Sequence, residues 1–161
     1  MNSTTTIIDT ENEINVEKTL SFLHRDHVQS LELCSIIRMG IRRNIDPNRI
    51  KKYADWYYIN QLVPHFQIEK EHIFPNLGTE NVFVHKVLIQ HRRLAKHFIK
   101  KNEVAKSLSR IEDDLETLIR FEEKNIFNAI RNNFPSYQIL LNEEVLSHEF
   151  NNKEWDDIFW Q

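Results

Sequence analysis

The chain has 161 residues, the length of one domain, and a domain of this size buries about 70% of its unfolded surface without needing cross-links. Two glycines and four prolines are too few for the many turns of a β-sandwich and favour long helices with short connections. A net charge of -3, with both signs interspersed, excludes a basic surface for nucleic acid. One cysteine, a polar N-terminus and the lack of an apolar run near the roughly 18–20 residues of a membrane span predict a soluble cytoplasmic protein.

The first half of the chain predicts a polar lead-in followed by two helices. Residues 1–14 form the flexible lead-in, and apolar residues at helical spacing predict a first helix from about Asn15 to Arg43. Asp46 is a good N-cap and Pro47 a good first residue for the second helix, which ends near Pro75. Pro64 lies inside this helix and should remove a backbone hydrogen bond and produce a kink.

The second half predicts two further helices, over about 80–101 and 103–132. Short connections between four helices favour antiparallel neighbours. We therefore predict an all-α fold, an up-down-up-down antiparallel four-helix bundle over residues 15–134. A short C-terminal helical extension over residues 135–161 follows it.

Five side chains of types that commonly bind metals lie on the apolar faces of these predicted helices: His27, His65, Glu69, His91 and Glu122. Counting turns at about 1.5 Å per residue places all five roughly 10–18 Å from the same end of the bundle. A single histidine on an apolar face is more often a core residue, and a His-x-x-x-Glu pair arises about once by chance in this composition. The five residues together are not explained in this way, because burying a carboxylate without a partner costs several kcal/mol of folding stability. Two carboxylates and three imidazoles at one level predict a metal site.

Four sequence motifs resemble the hemerythrin-like (HHE cation-binding) family, in order over residues 17–132. They are Leu23-His-Arg-Asp-His27, Pro64-His-Phe-Gln-Ile-Glu-Lys-Glu-His-Ile-Phe-Pro75, Gln90-His-Arg-Arg-Leu94 and Ile119-Arg-Phe-Glu-Glu-Lys-Asn-Ile-Phe127. The resemblance implies a four-helix bundle with a non-haem, oxo- or hydroxo-bridged di-iron centre. It also implies reactions with dioxygen, nitric oxide or peroxide, or iron handling. By position, His27 and His65 would cap one iron, His91 would cap the other, and Glu69 and Glu122 would bridge them.

The chain departs from this family at Leu118. The family usually has a histidine four residues before the glutamate of the fourth helix, and that histidine shares an iron with the residue matching His91. Losing a nitrogen donor weakens one metal more than its neighbour. We therefore expect one well-held metal and a second that is weak, replaced or absent. Substitute ligands would be His24, His72 or Glu123, but their side chains point away from the predicted centre, which favours exposed positions.

Other residues have simpler interpretations. Tyr58 shares a face with His65, either as a hydroxyl near the metal or, as we favour, as a buried structural tyrosine. Cys34 is expected in the core, and His85 and His97 on the surface. The aromatic C-terminal residues cap the bundle or mediate a dimer, and packing within the chain is the simpler expectation: Trp155, Phe159 and Trp160.

Two functions of different classes remain open from the sequence. The first is a cytoplasmic hemerythrin-like protein that holds one or two non-haem iron ions for small diatomic ligand (dioxygen or nitric oxide) binding, sensing, or iron and stress handling. The alternative is a metal-free bundle that serves as a structural or protein-interaction module. An oxidant- or nitric-oxide-processing enzyme is a weaker third, and no residue set defines a substrate pocket, so no reaction is predicted. No nucleic-acid or membrane partner is expected.

Overall fold

The computed structural model describes the backbone of residues 3–133 and 140–161, with the side chains of 15–133, 140–151 and 153–161. Every regular element in these ranges is helical and none is a strand, which confirms the predicted all-α class. No described helix combines the length and the apolar character that a membrane crossing requires. The predicted boundary between bundle and tail, at residues 134–135, lies outside the described residues.

The first helix, α1 (Ser3–Arg42), begins earlier than predicted. Residues 3–14, which the sequence placed before the helix, belong to it. No glycine or proline interrupts this stretch, so nothing in it breaks a helix that packing supports further along the chain. The helix ends before Asn44, whose φ of 56° is left-handed, a conformation that asparagine tolerates better than most residues.

The second predicted helix is divided into shorter segments. Helix α2 (Pro47–Tyr57) starts as predicted, with the Asp46 carboxylate accepting a hydrogen bond of 2.9 Å from the Asn48 amide. A π-helical turn over Tyr58–Leu62 then leads into α3 (Val63–Ile68). Pro64 is in the first turn of α3, and its ring would clash with the carbonyl four residues earlier in a regular helix. The wide turn in front of Pro64 relieves that clash, so the proline is accommodated by a change of helix type.

Two more π-helical turns begin at candidate metal ligands. One spans Glu69–Ile73 and leads into a 3₁₀ turn over Phe74–Leu77. The other spans Glu122–Ile126 and leads into α6 (Phe127–Asn132). In each, the residue after the turn donates its amide to the carbonyl of the glutamate that opens it. Single π turns inside helices are frequent at functional sites, and here each carries a buried carboxylate.

The remaining long helices are α4 (Val82–Ile99) and α5 (Val104–Phe121). The Asn81 side chain caps α4 by accepting from the amides of Phe83 and Val84. Helix α5 packs against α1, α2 and α4, and α4 also contacts the π turn that follows α5. The buried apolar side chains of these elements form one core that surrounds the candidate ligands.

The described part of the C-terminal extension packs on the chain itself, as the simpler expectation had it. It contains a short helix α7 (Glu143–Leu146) and a 3₁₀ turn over Asn152–Glu154. The ring of Trp160 lies 4.6 Å from that of Tyr53 in α2, and Phe159 is buried. Asp157 forms an ion pair with Arg49, with an N–O distance of 2.6 Å. These contacts attach the tail to α2.

Candidate metal centre

The five predicted ligands come from separate helical segments and are all buried, with at most 4% of each residue exposed. Helix α1 supplies His27, and α3 supplies His65. Helix α4 supplies His91, and the two π turns supply Glu69 and Glu122. The structure therefore brings together every residue of the predicted set.

The ligand atoms form two overlapping groups. His27, His65 and Glu122 make up the first half of the centre, and Glu69, His91 and Glu122 make up the second half; within each half the ligand atoms lie within 4.8 Å of one another. Both groups could hold a metal ion. Glu122 belongs to both because its two oxygens face different histidines. Its Oε2 lies 3.1 Å from Nε2 of His27, and its Oε1 lies 3.3 Å from Nε2 of His91.

Glu69 also lies between the two halves. Its Oε1 is 3.1 Å from Nε2 of His65 and 3.8 Å from Nε2 of His91. Although the first distance is short, neither Glu69 Oε1 nor His65 Nε2 has a hydrogen-bond partner in acceptable geometry, and both atoms are fully buried. Buried polar atoms are normally satisfied. A carboxylate oxygen and the ring nitrogen of a neutral histidine in this position fit the coordination of a cation.

The pKa of both histidines of the first half is raised in the metal-free protein. Burial alone lowers the pKa of His27, but hydrogen bonds with Glu122 and Glu123 outweigh it, and the net shift is upward. For His65 burial again lowers the pKa, and the charge of Glu69 with the hydrogen bond to Asp26 raises it well above its ordinary value. Positive charge is therefore favoured at the place where a metal ion would supply it.

The two carboxylates differ from each other. Burial raises the pKa of Glu69, and the neighbouring charge of Glu122 adds to that shift. Burial also acts upward on Glu122, but hydrogen bonds from His27 and His91 outweigh it and lower the pKa of this carboxyl well below its ordinary range. Glu122 is thus held as the anion by histidines from both halves, as a bridging ligand requires.

Two further carboxylates lie behind the histidines of the first half. Asp26 Oδ2 is 2.9 Å from Nδ1 of His65, and Glu123 Oε1 is 3.0 Å from Nδ1 of His27. The exposed His24 contacts the same Glu123 oxygen at 2.6 Å. The exposed position expected for Glu123 was wrong, since its side chain is 32% exposed and bonded to His27. Asp26 was not singled out in the sequence, because it precedes His27 and lies off the predicted apolar face.

The second half has different surroundings. Phe66 stacks on His91 with ring centroids 3.8 Å apart, and Nδ1 of His91 is buried without a hydrogen-bond partner in the described part of the chain. Leu118, at the position where the resemblance implies a histidine, is 1% exposed and belongs to the apolar core. Among the residues that the structure describes, the second half therefore has one imidazole, with no carboxylate behind it.

The other residues weighed in the sequence lie outside these two groups. Tyr58 is half-buried and stacks on Phe98 at 4.2 Å, which fits the structural interpretation. His97 is bonded to Asp114 at 2.9 Å, and the exposed His85 contacts a loop carbonyl. Burial raises the pKa of the Cys34 thiol to about 12, so this residue is an unreactive core side chain, as expected.

Comparisons of the chain with protein-family models, curated proteins and solved structures find no match. The conclusions about this centre therefore depend on its residues and their geometry.

Proposed function

We propose that this chain is a hemerythrin-like protein that binds non-haem iron at the interface of its helices. The observation that carries the proposal is the position of Glu122, whose two oxygens face His27 and His91 from opposite halves of the centre. A carboxylate shared in this way is how bundle proteins bridge two metal ions. In this proposal α1, the α2–α3 segment, α4 and the α5–α6 segment are the four helices of an up-down-up-down bundle.

The donor set supports iron as the metal. Three imidazole nitrogens and two carboxylates are the ligands of many first-row metals, and a mixed nitrogen and oxygen set without thiolate suits iron in particular among helical bundles. Cys34 lies in the core away from both groups of ligands. When bound, iron would supply a coordination position and redox chemistry, while the protein residues hold it and exclude water.

We further propose that a small diatomic molecule, dioxygen or nitric oxide, binds on the second half. This half has only one imidazole, and a metal with fewer protein donors keeps an open coordination position. A small cleft of about 150 Å³ reaches the same histidine from the surface, and its lining includes His91, Phe66, Tyr58 and Arg92. A site of this kind serves sensing, iron handling or a stress response inside the cell.

Metal analysis of the purified 161-residue chain tests the proposal. After loading with ferrous iron and removal of the excess, one to two iron ions per chain are expected. Bound iron should also change the optical spectrum on exposure to nitric oxide. A chain that retains no iron, and whose melting temperature does not change when iron is added, would contradict the proposal.

A metal-free bundle is the second candidate, and one observation favours it. The ligand side chains already pair with one another, with Glu122 accepting from His27 and His91, and Leu118 fills the core where another ligand would stand. The same metal analysis separates the two candidates, because a structural module would keep its stability without metal and gain none from it.

A further inference from the structure

The two histidines of the first half share a feature that no other candidate ligand has. Each points Nε2 towards the carboxylates of the centre and Nδ1 towards a second carboxylate outside it. For His65 the outer partner is Asp26 in α1, and for His27 it is Glu123 in the π turn after α5. The outer partners thus come from helices other than those of the histidines they contact.

Asp26 is buried, with 8% of its side chain exposed. Its Oδ2 accepts from His65, and its Oδ1 lies 3.9 Å from the guanidinium of Arg25. Burying a carboxylate is unfavourable unless hydrogen bonds and charges offset the loss of water. Because a carboxylate oxygen accepts, Nδ1 of His65 donates to Asp26, and this bond orients the ring.

Glu123 is arranged similarly but nearer the surface. One of its oxygens lies within hydrogen-bond distance of both His27 and His24. Both contacts are made by Oε1 of Glu123, at 3.0 Å from Nδ1 of His27 and 2.6 Å from Nδ1 of His24. His24 therefore orients Glu123, and Glu123 in turn orients His27.

Metal-binding histidines almost always donate their second ring nitrogen to a carboxylate, a carbonyl or water, which orients the ring and strengthens the donor. We propose that Asp26 and Glu123 are positioning residues for a metal in the first half, acting through His65 and His27, and that they make this half the high-affinity one. This inference rests on the proposed metal-binding function. It adds which half binds metal more tightly, and it assigns a positioning role to two residues that do not touch the metal.

The test compares Asp26 with a matched aspartate elsewhere. Asp114 accepts a hydrogen bond from His97 at the same distance of 2.9 Å, in a pair that belongs to neither half of the centre. Asp26→Asn keeps the size of the side chain and removes the charge, and Asp26→Ala removes the acceptor. Asp114→Asn and Asp114→Ala are the controls. The probe is Co²⁺, whose affinity is measured by competition with a chelator and whose absorption bands report on the geometry of its ligands.

We expect Asp26→Ala to weaken Co²⁺ binding by about 10–100-fold, since loss of an outer partner usually has this effect. The affinity of Asp26→Asn should lie between those of the natural chain and Asp26→Ala. The Co²⁺ spectrum should change with Asp26 and stay constant with Asp114. Melting temperatures of the metal-free variants identify any loss of folding, and the isosteric Asp26→Asn variant keeps the test valid if Asp26→Ala does not fold.

Two results would overturn the inference, and they are distinguishable. If the natural chain binds Co²⁺ and the Asp26 variants bind it with the same affinity and spectrum, the positioning role is wrong and the proposed function stands. If the natural chain binds neither Co²⁺ nor iron, both are wrong.

Discussion

The two halves of the candidate centre contain similar ligands but have different surroundings. The first half has two histidines, each with a carboxylate behind its outer nitrogen: Asp26 for one and Glu123 for the other. The second half has one histidine, His91, whose ring is covered by Phe66 and whose outer nitrogen has no hydrogen-bond partner among the described residues. Leu118, at the position where the resemblance implies a second imidazole, is buried in the core.

This difference shows that the number of ligands alone underestimates how much two metal positions differ in affinity. The two halves share Glu122, so the shared carboxylate favours neither. The first half gains from one additional nitrogen donor and from two outer carboxylates, each of which contributes about 10–100-fold to affinity in comparable sites. We therefore expect the two positions to differ by at least about 100-fold in affinity.

The largest expected effect separates the histidines of the two halves. His65→Ala should abolish tight metal binding, because the first half then has a single imidazole and Asp26 loses its partner. His91→Ala should remove only the weaker ion and leave about one per chain. His97→Ala, which disrupts the pair with Asp114 outside the centre, is the control and should retain the natural stoichiometry by metal analysis. Equal losses in the His65 and His91 variants would show that the halves are equivalent.

Adding a nitrogen donor to the second half should reduce the difference in metal affinity between the two halves. Leu118→His places an imidazole four residues before Glu122, on the same face of the helix in regular α-helical geometry, and should raise metal occupancy towards two ions per chain. Leu118→Ile keeps the volume without adding a donor and controls for repacking of the core. Metal analysis after loading gives the answer, and an unchanged stoichiometry in Leu118→His would count against the proposed role of this position.

Metal removal should destabilise the fold through the first half. At a free metal concentration 100 times the dissociation constant, binding to the folded state alone adds about 2.7 kcal/mol, which for a domain of this size raises the melting temperature by roughly 5–11 °C. Most of this rise should occur with the first equivalent of metal. A titration followed by melting temperature checks it, and two equal steps would contradict the assignment.

The sign of the pH dependence should differ between the metal-free and the metal-loaded chain. The pKa of His65 is raised well above 6.5 in the fold, so its protonated form stabilises the metal-free protein below pH 6.5, and this contribution is lost as the pH rises through the raised value. Metal binding requires the neutral imidazole and therefore strengthens as the pH rises. Melting curves of both forms above pH 6.5 check this, and a His65→Gln variant should flatten both trends. Parallel curves for the two forms would contradict it.

The sequence predicted the helical class and the approach of the five ligands, because apolar spacing defines helix faces and turn counting defines depth. It could not predict the π turns at Glu69 and Glu122. No proline or glycine lies within either turn to signal the change. The early start of α1 at Ser3 was missed because a polar stretch lacks the apolar period used to recognise a helix.

The outer carboxylates were missed for a related reason. Asp26 and Glu123 are each adjacent in sequence to a ligand, and neighbouring side chains point about 100° apart on a regular helix. Sequence spacing therefore placed Glu123 away from the centre, and Asp26 was not singled out. In the structure they reach the far side of histidines on other helices, a relation that depends on how the helices pack. Asp26 could have been recognised by its chemistry, because it is an acidic residue next to a candidate ligand on a helix that was expected to be buried.

Stepwise equilibrium binding of ferrous iron to the unsubstituted 161-residue chain, under anaerobic conditions, tests the central claim most directly. The expected result is one tightly bound ion per chain, followed by a second that binds at least about 100-fold more weakly. Two ions of equal affinity, or none, would contradict the account of a centre with unequal halves.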